Sequence, residues 1–272
     1  MSDNDMASDT IKEMVRARYG GIAASADSSC CAPVTETSCC GTTPASVRDL
    51  NTKARDIGYS DEELAAVPEG ANLGLGCGNP LAIAAMKAGE VVVDLGSGAG
   101  FDCLLSARQV GSTGRVIGVD MTHEMIKKAR DNASKVGAAN VEFRLGELEH
   151  LPIADNTADV IISNCVINLV PDKAQVFREA YRVLKQGGRL SVSDVLNIAP
   201  LPEDLRSDPA LLCGCIAGAI SVERTETLLR EAGFADVTIA VKPESRETVA
   251  SWAPGRGIEN CVASAMVEAR KP

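Results

Sequence analysis

From Glu90 onward the chain alternates short apolar runs with amphipathic stretches of helical period. Val91-Val92-Val93-Asp94-Leu95 is β-branched and almost continuously apolar, as a strand covered on both faces must be. Arg115 to Asp120, Val141 to Leu145, Asp159 to Ser163 and Arg189 to Val195 read as the second to fifth strands. Between them, Thr122 to Val136 reads as a helix with Thr122 at its N-cap. Asp172 to Lys185 reads as an amphipathic helix stopped by Gly187-Gly188. This strand–helix rhythm predicts an α/β fold with a doubly wound, Rossmann-like sheet. The segment from about 200 to 233 looks helical and interrupts the rhythm, and Asp236 to Val241 and Cys261 to Glu268 read as late strands.

Upstream the pattern changes. Thr10 to Tyr19 predicts a short helix ended by Gly20-Gly21. A polar Ser/Thr/Ala stretch with little to bury follows, so a flexible, cysteine-rich arm is expected over 1–46. Residues 46–90 look mostly helical, broken between Pro68 and Pro80 by the loop Asn72-Leu73-Gly74-Leu75-Gly76-Cys77-Gly78-Asn79-Pro80. Asn79 is placed to cap the helix after it, and Pro80 suits that helix's first turn. The expected division is therefore 1–46 as arm, 47–198 as a Rossmann-like domain, and 199–272 as a smaller α+β region covering the substrate.

Composition narrows the chemistry. The 272 residues carry 27 Lys plus Arg against 37 Asp plus Glu, a net charge of −10. Such a chain repels phosphate backbones, and 3% aromatics supply few stacking platforms, so nucleic acid is not the expected partner. No run approaches the ~20 apolar residues of a membrane span, and the acidic start lacks a secretory apolar core. A cytoplasmic protein without membrane contact is expected. Ten cysteines are then unusual, because a cytosolic chain of this size needs no disulfide staples. They point to metal, metalloid or redox chemistry, or to small apolar filler.

Asp94-Leu95-Gly96-Ser97-Gly98-Ala99-Gly100 stands between the first strand and a helix starting near Phe101, where glycines let a ligand approach the backbone. Its third glycine comes one residue earlier than in the dinucleotide fingerprint. Asp120 ends the second strand, where a carboxylate accepts both hydroxyls of a ribose. The alternative is a tight turn with no ligand. The three features in register resemble class I S-adenosylmethionine-dependent methyltransferases. In that class, the stretch after the third strand, here Gly146-Glu147-Leu148-Glu149, faces the adenine, and Asn164-Cys165 ends the fourth strand at the same crevice.

The cysteines sort by position. Cys165 lies where a methyl acceptor would approach, and the plainer alternative is a core thiol under the sheet edge. Cys77 sits in a glycine loop before a helix N-terminus, which favours its thiolate. Cys213 and Cys215 would point about 200° apart on a regular helix, so one of them is expected to be packing. Cys103 and Cys261 lie in apolar runs and read as core. Cys30-Cys31 and Cys39-Cys40 lack zinc-knuckle spacing and read equally as a redox-sensitive tail or as thiols that reach a crevice. His123 and His150, the only histidines, are ungrouped and read as surface residues.

Ile162-Ser163-Asn164-Cys165-Val166-Ile167-Asn168-Leu169-Val170-Pro171-Asp172-Lys173 resembles the arsenite S-adenosylmethionine methyltransferase family. Asp94 to Gly100, Asp120-Met121-Thr122 and Glu179-Ala180-Tyr181-Arg182-Val183-Leu184 fit the same family. The resemblance covers roughly 72–232 well and the two ends loosely. It implies S-adenosylmethionine as cofactor, held by Asp94, Gly96, Ser97, Gly98, Gly100, Asp120, Met121, Glu147, Leu148 and Asn164. It implies arsenite and methylated arsenicals, arriving as thiol adducts, as substrates held by Cys77, Cys165 and Cys215 for detoxification. Cys215 fits the family's third cysteine better than Cys213. A redox or secondary thiol is implied at Cys39 or Cys40, or at Cys30 or Cys31. Thioredoxin or glutathione as reductant, a monomer, and no metal beyond arsenic complete the expectation. One departure is Leu75, where members often carry Tyr, so an aromatic contact to the cofactor is lost there. The rival expectations are a methyltransferase of another small metabolite, a non-catalytic metalloid-sequestering protein, and a disulfide-switched interaction module.

Overall fold

A computed structural model describes residues 8–25 and 47–272. The five apolar runs become β1 (Val91–Leu95), β2 (Arg115–Asp120), β3 (Val141–Leu145), β4 (Ala158–Asn164) and β5 (Leu184–Asn197). The late runs become β6 (Ala235–Val241) and β7 (Val262–Arg270). Among the described residues these form one sheet of order β3-β2-β1-β4-β5-β7-β6. β1 to β5 pair in parallel, whereas β7 runs antiparallel to both β5 and β6. The doubly wound expectation thus holds over β1 to β5, and the C-terminal edge is mixed. β1 is flanked by β2 and β4, so chain order reverses beside it. A crevice opens at the carboxyl ends of strands at such a reversal.

Helices cover both faces: α1 (Ser8–Ser25), α2 (Val47–Asp56), α3 (Asp61–Ala65), α4 (Leu81–Ala84), α5 (Phe101–Val110), α6 (His123–Val136), α7 (Lys173–Val183), α8 (Glu203–Arg206), α9 (Pro209–Leu212), α10 (Val222–Ala232) and α11 (Arg246–Trp252). Alternate residues of each strand serve opposite layers. Val92, Val116, Val160 and Ile162 pack with Cys103 and Leu104 of α5 and Ile126 of α6. Val93, Ile117, Val119 and Ile161 pack with Phe177 of α7 and Leu229 of α10. Each such side chain fully removed from water contributes roughly 1.5–3 kcal/mol before conformational entropy is subtracted. No helix among the described residues is long and apolar enough to cross a membrane.

Several boundaries differ from those the pattern predicts. α1 runs through Gly20-Gly21 to Ser25. A Cβ at Gly20 would lie 3.1 Å from Glu124 Oε2, so the glycine allows α1 to cross the start of α6 closely. That packing outweighs the ~1 kcal/mol a helical glycine costs. Cys30, Cys31, Cys39 and Cys40 lie outside the described residues. The helical reading of 46–90 yields α2, α3 and only one turn of α4. Asn79 does cap that turn, accepting from Leu81 N at 3.0 Å and Ala82 N at 3.3 Å. Thr122 stands at the N-cap of α6, but its side chain makes no capping bond. α7 stops at Val183 because Leu184 turns extended and pairs with Ala158. The helical reading of 200–233 breaks into α8, α9 and α10, with an irregular turn from Cys213 to Ile220 between the last two.

Candidate active site

A cavity of about 1060 Å³ opens at the carboxyl ends of β1, β2 and β4, beneath α1, α9 and α11. This is the upper range of volumes that hold small ligands. The glycine loop forms its floor. Gly96, Gly98 and Gly100 take φ values of 73°, 50° and 89°, which only glycine adopts freely. A Cβ at Gly98 would meet nothing within 4 Å, so the backbone there is open to a ligand. Gly100 plays another part: it is absent from the cavity wall, and a Cβ on it would lie 2.8 Å from Phe143 Cζ. The Ser97 hydroxyl is buried beside the cavity without a hydrogen-bond partner. An open glycine and an orphaned hydroxyl in a roomy crevice fit the adenosyl cofactor the resemblance implies.

Three carboxylates line the cavity here, Asp94 and Asp102 buried and Asp120 partly exposed. Asp120 accepts from Gly98 N at 3.0 Å and Thr122 N at 2.8 Å. Burial pushes its acidity below the ordinary carboxylate's, and these N–H groups partly oppose that. Asp94 accepts from the Cys103 thiol at 3.1 Å, and burial together with Asp102 raises its pKa well above the usual value. Asp102 accepts from Tyr59 Oη at 2.6 Å and is pushed up to about 6, chiefly by burial. Met121 and Leu148 lie on the wall as expected. Glu147 does not. It turns away to pair with Lys12 at 2.6 Å and Arg16 at 2.5 Å of α1, and its neighbour Glu149 reaches the wall instead. Leu75 lines the cavity and is partly exposed.

The thiols gather around the turn that leaves β4. Cys77 and Cys165 are joined by a disulfide, with Cα atoms 5.8 Å apart. Cys165 lines the cavity while Cys77 lies buried behind it. Cys215 donates its thiol to the Cys165 carbonyl oxygen at 2.9 Å. α9 ends at Leu212, so Cys213 and Cys215 are not on one regular helix. Both reach the cavity wall, so the expectation that one of them only packs is not met. Burial raises the Cys215 thiol well above its ordinary pKa, and the nearby Asp194 charge adds to this. Cys103 and Cys261 are core, and His123 and His150 are exposed, as the sequence suggests.

Asn164 joins the carboxylates to the thiols. Its Oδ1 accepts from Cys77 N at 3.1 Å. Its Nδ2 donates to Gly78 O at 2.8 Å, Tyr59 Oη at 3.0 Å and Asp102 Oδ2 at 3.2 Å. The side chain lines the crevice, but its polar atoms are engaged by protein groups that fix the Cys77 loop.

Comparison with known proteins points one way. A family described as a methyltransferase domain matches residues 86–233. The arsenite methyltransferase of Halobacterium salinarum is 52% identical over 267 residues, 96% of this chain and 66% of that protein. A crystal structure of an arsenic(III) S-adenosylmethionine methyltransferase from Chlamydomonas reinhardtii aligns with TM-score 0.61 and 34% identity, covering 85% of this chain and 74% of the other. The chain belongs to the arsenite S-adenosylmethionine methyltransferase family. The human arsenite methyltransferase is 43% identical over 152 residues, 53% of this chain and 40% of that protein. The chain thus spans between 40% and 66% of the length of these curated relatives.

Several residues that shape this site are not marked by any motif of the sequence. Tyr59, Asp102 and Asp194 stand singly in their segments, and nothing in spacing links them. Tyr19 donates to Cys213 O at 3.3 Å, and its hydroxyl is held well above the usual pKa by burial. Only the helical period of Ile11, Met14, Val15 and Tyr19, an apolar stripe seeking a partner, signals that α1 covers something.

Proposed function

We propose that the protein transfers a methyl group from S-adenosylmethionine to trivalent arsenic held by Cys77, Cys165 and Cys215. The observation that carries this reading is the joined Cys77–Cys165 pair, with the Cys215 thiol on the Cys165 carbonyl oxygen, beside a crevice floored by the open glycine loop. Arsenite and methylarsenite, delivered as thiol adducts, are the substrates. Bound S-adenosylmethionine supplies an electrophilic methyl. Asp120 would hold the ribose hydroxyls, Gly96, Ser97 and Gly98 the amino-acid portion, and Met121 and Leu148 the adenine.

The thiols act first by binding. The Cys77–Cys165 disulfide is opened by two equivalents of external thiol, glutathione or thioredoxin, which leave as a disulfide. Soft trivalent arsenic then exchanges its ligands for Cys77, Cys165 and Cys215, and each cysteine gives up its proton. Arsenic bound by three sulfurs would keep one lone pair free to accept the methyl, so no general base is required. The protein's contribution is alignment, which supplies up to about 7–11 kcal/mol of a barrier. Methylation oxidises arsenic by two electrons. Cys77 and Cys165 supply them on reduction of the product, and their disulfide is the outcome. The residues 47–198 hold the cofactor and 199–272 cover the arsenic side, in the cytoplasm and as a monomer. A thiol of the 1–46 segment, Cys39 or Cys40, serves the later methylation.

The test is Cys165→Ser. S-adenosylhomocysteine formation dependent on arsenite is expected to vanish, with cofactor affinity retained within about threefold, since the substitution touches only the thiol. Methylated arsenic from the variant at saturating arsenite would overturn the role of Cys165. Turnover absent from the unmodified protein itself would move the acceptor to another metabolite.

A further inference from the structure

Asp194 of β5 belongs to none of the motifs that mark the site, yet it is buried directly beneath the thiols. One of its carboxylate oxygens lies within 4.8 Å of both the Cys77 and the Cys165 sulfur. Its oxygens are already engaged: Oδ2 accepts from Ile167 N at 3.0 Å, and Oδ1 accepts from Asn168 Nδ2 at 2.9 Å and Val195 N at 2.8 Å. The group is therefore a holder of backbone rather than a spare ligand. Two of its donors lie two and three residues beyond Cys165, in the turn that leaves β4.

That turn needs holding. Cys165 sits at φ 56°, a left-handed conformation that disfavours a residue with a Cβ. On the strand side, Cys165 N donates to Ser193 O at 2.8 Å. On the far side, Asp194 fixes Ile167 and Asn168. Asn168 in turn donates to Val195 O at 2.6 Å, and a Cβ at Gly218 would overlap the Asn168 carbonyl oxygen, so the Cys215 turn closes against it. Resting on the reading that these cysteines bind arsenic, we infer that Asp194 is a positioning residue, which clamps the Cys165 turn to β5 and so sets the approach of Cys165 to Cys77 and Cys215. The Cys77 loop is held by Asn164, the residue before Cys165, and not by Asp194, which acts on the far side of the turn.

The pair's readiness to close is measured without arsenic. Two thiols plus glutathione disulfide give the Cys77–Cys165 disulfide plus two glutathiones, and the equilibrium reports the effective concentration of one thiol at the other. In the full chain, Asp194→Ala is expected to lower that equilibrium constant roughly tenfold or more, since misplacement of about 1 Å is worth up to 100-fold in aligned reactions. Asp194→Asn keeps one carbonyl oxygen and abandons the donors on the other side, so its value is expected between those of the alanine variant and the unmodified protein. Arsenite KM should rise in the same order while cofactor affinity stays constant. A merely structural role would lower the thermal midpoint of both variants and leave the exchange equilibrium, read well below that midpoint, unchanged. That result, or an asparagine variant indistinguishable from the unmodified protein, would overturn the inference. Should alanine prevent folding, the asparagine variant alone decides. Loss of the methylation reading would leave the exchange result standing, so the two failures are distinguishable.

Discussion

Two of the three proposed arsenic-binding cysteines, Cys165 and Cys215, occupy left-handed backbone, at φ 56° and 64°. Such positions cost of order 1–3 kcal/mol each and persist only where the surroundings enforce them. Cys213, by contrast, ends α9 at an ordinary helical φ of −67°. The strain therefore marks Cys215, and so does its bond to the Cys165 carbonyl. Cys215→Ser is expected to weaken methylarsenite binding by roughly tenfold or more, and Cys213→Ser by less than about threefold, because only the first removes a soft ligand. Equal losses, measured by titration of the reduced protein, would reverse the choice. At this scale Cys77 and Cys165 were legible because glycines and a strand end flank them. Asp194 was not, because an acid inside Arg189 to Val195 looks like any polar position of a half-covered strand. Its importance arises from contacts with Ile167 and Asn168, which are some 26 residues away along the chain.

Among the elements, α1 carries the largest difference from expectation. Lys12, Val15, Arg18 and Tyr19 line the cavity, so this helix roofs it. Its attachment is partly ionic, through Lys12 to Glu147 and Glu149 and Arg16 to Glu147. The Lys12 hydrogen bond lowers the Glu147 pKa below the usual carboxylate range. Burial alone would depress Lys12, but the two glutamates more than offset it and leave it raised. A carboxylate held low when folded stabilises docking above its unfolded value, near 4.3, and loses that contribution as pH falls through the folded value. A raised lysine contributes below its unfolded value, near 10.4, and loses that contribution as pH rises through the folded one. Docking should therefore be strongest across neutral pH and loosen under acid. Amide exchange of residues 12–22 is expected to accelerate relative to β1 on going from pH 7 to pH 4, after correction for intrinsic rates, and added salt should mimic part of the effect. Protection that stays level across this range would show that the apolar stripe alone holds α1. The central strands were legible because their residues alternate between two helical layers and so read as apolar runs. The short helices were not, because α3 and α4 are single turns defined by caps and by what packs on them, not by period.

Across the whole molecule, the cavity draws its walls from α1, the loop before α4, the ends of β1, β2 and β4, α9 and α11. The sequence told which strands would exist and that their carboxyl ends would meet. It did not tell that β7 would insert antiparallel between β5 and β6, or that segments as distant as residues 12 and 252 would close over one space. A ligand touching so many elements should stabilise them together. Binding to the folded state alone adds about 2.7 kcal/mol at a concentration 100 times the dissociation constant. For a chain of this size that amounts to a rise in thermal midpoint of roughly 5–10 °C. S-adenosylmethionine is expected to give that rise in the unmodified protein and equally in Cys165→Ser, because Asp120 is held by Gly98 N and Thr122 N and makes no bond to the thiol. Arsenite added to the reduced protein should contribute a second increment, present in the unmodified chain and missing from Cys165→Ser. A cofactor shift lost together with the arsenite shift would mean that the glycine loop and the thiols form one inseparable site. An arsenite shift that survives the substitution would place the metalloid on thiols other than Cys165.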